Sequence, residues 1–188
     1  RQRQMCIRDR RYIEKIFLAD GDALILPMDY LLTVLDYIRD HFPTCKRVAA
    51  YATTKAIMRK TDDELRTLRE HGLGIVYIGL ESGNEELLKK FCKGVTAEEI
   101  VLNAIRCKQA GIATSVTAIN GMAGANGDWQ AHAIDTAKAV ITAWINMKMK
   151  KKAQEEDREP RTFEVSLTTA QPFSLNAIIP YAFCIAYK

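Results

Sequence analysis

The sequence predicts an α/β fold in which parallel strands form part of a TIM-type barrel with helices on the outside. Short apolar runs alternate with amphipathic stretches four times along the 188 residues, at about 30 residues per unit. Because parallel strands need a helical crossover between them, this alternation favours a parallel sheet. An open, doubly wound sheet fits the same pattern, although no GxGxxG motif follows the first strand.

The first two strand–helix units occupy the amino-terminal part of the chain. Residues 12–19 (YIEKIFLA) form the first predicted strand, and Pro27 opens a helix whose apolar residues recur at helical spacing. The second predicted strand is 47–53. The helix after it begins at a capping box, in which Thr61 and Glu64 satisfy each other's backbone amides.

The next two units follow in the same rhythm. The third predicted strand is 75–80 (IVYIGL), and a second capping box, Thr96 with Glu99, starts the helix after it. The fourth predicted strand, 113–119, ends in the turn NGMAGANG. A last helix is predicted near residues 129–144, so the expected barrel segment covers 12–144.

The two ends of the chain differ from this middle part. Residues 1–11 contain five arginines and one acidic residue, and without them 22 basic residues face 22 acidic ones. The formal charge of +4 therefore lies in that segment, and nucleic-acid binding by a basic face is not expected. Residues 145–188 are predicted to be a charged linker, 148–161, followed by a loosely determined tail.

The cysteines and the hydropathy pattern restrict the setting. Five cysteines are spread along the chain with no short metal-site spacing among them, and no apolar run reaches the roughly 20 residues of a membrane span. The start is not a signal peptide, because no apolar segment follows its arginines. A reducing, cytoplasmic setting without membrane association is the expectation. No metal ligands and no catalytic residues are assigned.

Polar or glycine-rich turns follow all four predicted strands. Because ligands of parallel α/β folds bind at the carboxyl ends of strands, we expect these turns to share one rim. Glu81 has a second interpretation there, since an acidic residue also suits the first turn of the next helix. The candidate cofactor-binding residues are Asp20, Gly21, Asp22, Thr53, Thr54, Glu81, Ser82, Gly83, Asn120, Gly121 and Gly124.

Other polar and sulfur-containing residues are not placed at this rim. His41, His71 and His132 lie on predicted helices or helix ends, and we interpret them as surface or hydrogen-bonded structural residues. Cys92 and Cys107 fall in helical stretches and are expected to be packing residues.

Four segments, in order and spacing, resemble one known family. FLADGDALILP, YATTKAIM, GIVYIGLESGNEELLKKFCKG and SVTAINGMAG resemble the radical S-adenosylmethionine (SAM) enzymes of the Elp3/MiaB/NifB-like type, over roughly residues 16–140. The resemblance implies a partial (β/α)6 barrel whose second to fifth strands are present. It also implies SAM and a [4Fe-4S] cluster as cofactors, with reductive cleavage of SAM starting radical chemistry on a substrate that the sequence does not identify.

The resemblance also assigns roles to the strand-end residues. Asp20–Asp22 match the motif that holds the methionine amino group of SAM, and Thr53 and Thr54 match the next strand end more loosely. Glu81 and Ser82 match the motif near the ribose and methionine, while the turn from Asn120 through Gly124 matches the one that lies against the adenine.

The chain departs from the family pattern at the cluster-binding segment, at its start and in the tail after Ala139. The family's CxxxCxxC run, whose three thiolates hold the cluster, does not occur in this sequence. The start, 1–11, also resembles translated sequencing-adapter read-through. We therefore expect a fragment that is inactive alone. Two alternatives stay open: a non-catalytic (β/α) binding or interaction module, and a barrel enzyme using Glu81 and Asp22 as an acid/base pair.

Overall fold

A computed structural model describes residues 13–19, 21–124, 126–155 and 182–186. Its strands stand in the order β1-β2-β3-β4-β5, and β1 to β4 form a parallel sheet with helices around it, as predicted. The strands are β1 (Lys15–Leu18), β2 (Arg47–Tyr51), β3 (Leu73–Glu81), β4 (Ala113–Ile119) and β5 (Ala182–Ala186). The helices are α1 (Met28–His41), α2 (Thr54–Met58), α3 (Asp62–Glu70), α4 (Glu85–Lys90), α5 (Ala97–Gln109) and α6 (Trp129–Glu155), with a 3-10 turn at Ala23–Ile25.

The helix starts follow the sequence signals closely. Pro27 is the residue before α1, and Thr61 and Glu64 form both bonds of a capping box at the start of α3. At the start of α5, the Thr96 amide donates to Glu99 and the Glu99 amide donates back to the Thr96 hydroxyl. Each box satisfies amides that a helix start leaves without a partner, and this explains why local spacing was sufficient to locate these helices.

Three features differ from the predicted elements. The short helices α2 and α4 were not predicted, because neither is long enough to show helical periodicity. The last helix begins at Trp129 as predicted but continues to Glu155, into the segment expected to be a linker. The predicted non-native start, 1–11, and most of the predicted tail lie outside the described residues.

The chain divides into two compact units. The first contains the chain up to Ile78 together with Arg106–Ser115 and Ala186–Lys188, and the second contains Gly79–Ile105 and Val116–Ile185. In the first unit, Leu24, Leu35 and Leu65 are almost completely buried among the helices and strands. In the second unit, the side chains that are almost completely buried include Leu80, Leu88 and Ile100. Burial of such side chains is the main favourable contribution to the stability of each unit.

Candidate functional site

The end of β1 is joined to the end of β2 through Asp22. One oxygen of its carboxylate accepts a hydrogen bond from the Thr53 amide at 3.1 Å, and the other accepts from the Thr53 hydroxyl at 2.5 Å. The Thr53 hydroxyl in turn accepts from the Ala56 amide and caps α2. Asp22 is therefore engaged in orienting the neighbouring turn. Asp20 lies outside the described residues, and Gly21 has φ +60° with open space above it.

Thr54, the first residue of α2, has an unusual environment. Its side chain is only 3% exposed, and its hydroxyl oxygen has no hydrogen-bond partner among the described residues. A buried hydroxyl without a partner costs about 1–3 kcal/mol. Such groups are rare in folded proteins, and one explanation for them is a hydrogen bond to a ligand.

The end of β3 is a strained turn. Glu81 has φ +62°, and the Ser82 amide donates to the Leu80 carbonyl at 2.7 Å, which closes a γ-turn around Glu81. A positive φ in a non-glycine residue with a long side chain is unfavourable by about 1–2 kcal/mol. Strain of this kind persists only where the surroundings enforce it, and it is concentrated at functional sites.

The Glu81 carboxylate folds back along its own strand. It forms an ion pair with Lys93 at 3.0 Å, with both side chains about one quarter exposed. A methyl group added at Gly79 would collide with the same carboxylate oxygen, so Gly79 leaves the space that Glu81 occupies. Lys93 belongs to the KG pair of the segment GLESGNEELLKKFCKG, but no local spacing rule assigns it this partner.

Three side chains of α6 hold the residues that follow Glu81. The Ser82 hydroxyl lies 2.8 Å from His132 Nδ1, the Gly83 amide donates to the Thr136 hydroxyl, and the Asn84 side-chain amide donates to Asp135. Ser82 is completely buried and His132 is 4% exposed. His132 is a satisfied residue, as expected, but the expectation that it lies away from the strand ends is wrong, because it contacts Ser82. No spacing rule connects two residues 50 positions apart.

The turn after β4 is open. Asn120, Gly121 and Gly124 are exposed, and the two glycines have φ of +79° and +76° with no atom within 4 Å of an added methyl group. The Gly124 amide donates to the Gly121 carbonyl, which closes the turn. Because neither glycine carries a side chain, a planar group can approach the backbone at both positions.

The cysteines of the described residues do not form a cluster site. No group of three or more possible metal ligands occurs among those residues. Burial raises the pKa of the Cys107 thiol to about 12, so it stays protonated at neutral pH, whereas iron is held by thiolates. Cys92 is exposed, and Cys45 is partly buried. The donor set of the described residues does not fit a [4Fe-4S] cluster.

A cavity of about 450 Å³ lies against β1 and α1. Its lining is apolar, with side chains such as Phe17 and Leu31, apart from Asp22. Asp22 is the charged residue of this lining, and each of its carboxylate oxygens already accepts one hydrogen bond from Thr53.

The helices are not membrane spans: within the described part of the chain, none is long and apolar enough to cross a bilayer. No curated protein matches the chain by sequence.

The fold is similar to that of three solved proteins. HydG, a maturase of the [FeFe]-hydrogenase, matches with a TM-score of 0.51 and 15% identity, over 86% of this chain and 33% of HydG. The coproporphyrinogen III oxidase HemN from Escherichia coli matches with a TM-score of 0.46 and 15% identity, over 55% of this chain and 24% of HemN. The cobalamin-dependent SAM radical enzyme OxsB matches with a TM-score of 0.49 and 18% identity, over 57% of this chain and 17% of OxsB.

The family assignment comes from sequence. The model of the radical SAM superfamily matches residues 3–137, which is more than half of the chain. The chain spans at most a third of the length of each of the three solved proteins. The predicted family is confirmed at this level: the chain belongs to the radical SAM superfamily.

Proposed function

We propose that this protein binds SAM and supplies the SAM-holding part of an Elp3/MiaB/NifB-like radical SAM enzyme. The observation that carries the proposal is Glu81, which keeps a left-handed backbone conformation at the carboxyl end of a parallel strand, in the GLESG segment within the residues that the family model matches. Backbone strain lowers stability and persists only where the surrounding structure enforces it. Residues strained in this way are concentrated at binding and active sites.

Two further observations support SAM as the ligand. The buried Thr54 hydroxyl lacks a partner among the described residues, so a polar atom of a ligand would remove its desolvation cost. The open backbone at Gly121 and Gly124 suits the flat face of an adenine. The residues proposed to bind SAM or to shape its site are those that match family motifs: Asp20, Gly21, Asp22, Thr53, Thr54, Glu81, Ser82, Gly83, Asn120, Gly121 and Gly124.

The role proposed for this chain stops at SAM binding. In the family, a [4Fe-4S] cluster supplies the electron that cleaves SAM. Since the described cysteines do not fit that cluster, we propose no cleavage of SAM by this chain alone. Anaerobic reconstitution with iron and sulfide is expected to leave the chain without a stoichiometric cluster. A cluster absorption band with about four irons per chain would contradict this.

The acid/base alternative has no support from the contacts of its two residues. Both Asp22 oxygens accept hydrogen bonds from Thr53, and the Glu81 carboxylate is paired with Lys93. Each carboxylate is thus accounted for by a structural contact, and nothing among the described residues indicates a proton that either would transfer. A non-catalytic binding module differs from the proposal only in its ligand.

Calorimetry with SAM tests the proposal. Without an iron to hold the methionine end, a few hydrogen bonds of about 1 kcal/mol each predict a dissociation constant near a millimolar. Gly121→Val should weaken binding, because its side chain would stand where the adenine packs. Gly72→Val is the matched control: Gly72 also has a positive φ and open space, but it precedes β3. No binding by the unaltered chain, or equal loss in both variants, would overturn the proposal.

A further inference from the structure

We propose that His132 is a positioning residue for the turn after β3: its imidazole fixes Ser82 and thereby keeps Glu81 in its left-handed conformation. The functional importance of that turn rests on the proposed SAM binding, whereas the positioning itself is a property of the protein alone. All the residues involved belong to the second compact unit.

The partners of His132 determine its tautomer. Nε2 lies 3.0 Å from the Ile119 carbonyl, and a carbonyl only accepts hydrogen bonds, so Nε2 carries the hydrogen. In the neutral ring Nδ1 is then an acceptor, and it takes the hydrogen of the Ser82 hydroxyl at 2.8 Å. The Ser82 oxygen accepts from the Asn84 amide at 2.9 Å. The ring thus connects the end of β4 to the turn after β3.

The same face of α6 holds the next two residues of the turn. Thr136, one helical turn after His132, accepts from the Gly83 amide at 2.9 Å and donates to the His132 carbonyl at 2.6 Å. A methyl group added at Gly83 would collide with the Asp135 carbonyl oxygen, so the helix backbone packs directly against this glycine. The turn therefore cannot shift towards α6 without a collision.

These contacts explain how the strain at Glu81 is maintained. The Ser82 amide closes the γ-turn around Glu81, while the Ser82 hydroxyl is held in a fully buried position by His132. If Glu81 relaxed to an ordinary φ, Ser82 would leave this position. The Asn84 amide would then lose its partner, and His132 Nδ1 would exchange the Ser82 hydroxyl at 2.8 Å for the more distant Thr136 hydroxyl at 3.4 Å, which is costly.

Two substitutions separate the two hydrogen bonds of the ring. His132→Asn places an amide oxygen near the Nδ1 position, where it can still accept from Ser82. His132→Gln places an amide nitrogen near the Nε2 position, where it can donate to Ile119 but leaves Ser82 without an acceptor. Both variants remove the ring and one hydrogen bond, so each serves as the stability control for the other.

Hydrogen exchange at the Asn84 amide tests positioning without SAM. In His132→Gln its protection should fall about ten-fold relative to His132→Asn, because the oxygen that it bonds is no longer fixed. The ¹⁵N NMR spectrum of the unaltered protein should show Nδ1 of His132 without a hydrogen and Nε2 with one. This test requires no variant. The opposite tautomer, or equal exchange in the two variants, would overturn the inference.

SAM titration then shows whether the positioned turn serves the proposed function. We expect His132→Gln to weaken SAM binding about ten-fold relative to His132→Asn at equal thermal stability. If the exchange and tautomer results are as expected and the unaltered chain binds no SAM, the proposed function fails and the positioning role stands. If the unaltered chain binds SAM and the two variants bind it equally, the positioning role in binding is refuted.

Discussion

The turns after β2 and β3 both place polar groups at the carboxyl end of a strand, but they are held in different ways. Thr53 keeps an ordinary extended backbone (φ −76°, ψ 151°) and is fixed by one carboxylate, Asp22. Glu81 has a left-handed backbone and is fixed by an ion pair and by the buried residue after it. The unstrained turn is thus fixed by one carboxylate from the neighbouring strand end, whereas the strained turn is supported by side chains from two further segments, at Lys93 and His132.

The largest difference between the turns should appear when the helix that supports one of them is displaced. Gly83→Ala would drive a methyl group into a backbone oxygen of α6, and backbone yields less readily than a side-chain end. We expect a loss of about 3 kcal/mol in the free energy of unfolding, measured by urea denaturation.

Gly121→Ala is the control for that variant. Unlike Gly83, Gly121 has a positive φ, which an alanine adopts at a cost, but an added methyl group there meets open space, so a loss of about 1 kcal/mol is expected from the backbone alone. Equal losses in the two variants would mean that α6 does not press on the turn after β3.

Removing the carboxylate that holds the turn after β2 should have a moderate effect. Asp22→Ala eliminates both hydrogen bonds to Thr53 and is expected to lower the free energy of unfolding by about 2 kcal/mol. A double-mutant cycle with Thr53→Ala measures the coupling. Additive effects of the two substitutions would show that Asp22 stabilises the protein through something other than Thr53.

Thr54→Val tests whether the buried Thr54 hydroxyl lowers the stability of the protein. The valine keeps the shape of threonine and removes a buried hydroxyl that has no partner among the described residues, so stability should rise by about 1 kcal/mol. Under the proposed function, SAM affinity should fall in the same variant. A loss of stability would reveal a partner for this hydroxyl within the protein.

The smallest effect on stability is expected at Gly79. The methyl group of Gly79→Ala would meet the end of the Glu81 side chain, which can move away at the expense of a partly exposed ion pair. Such pairs contribute about 0–1 kcal/mol, so the free energy of unfolding should change by less than about 1 kcal/mol. SAM affinity should nevertheless decrease, because the carboxylate is displaced. A loss above about 2 kcal/mol would show that Glu81 cannot move.

The contrast between the turns also explains what the sequence could predict. The strand–helix alternation, the two capping boxes and the helix start at Pro27 depend on neighbours a few residues apart, so local spacing revealed them. Glu81 and Ser82 were identified as candidates from their motif. Their support by Lys93 and His132 was missed, because those partners are brought close only by the fold.

The surroundings of Glu81 enforce its left-handed conformation, and a comparison of Glu81→Gly with Glu81→Ala is the sharpest test of this. Both variants lose the carboxylate, but only glycine adopts a positive φ without strain. We therefore expect urea denaturation to find Glu81→Gly more stable than Glu81→Ala by about 1 kcal/mol. At an ordinary φ, alanine would instead be the more stable by about 0.5–1 kcal/mol, and that result would contradict an enforced conformation at Glu81.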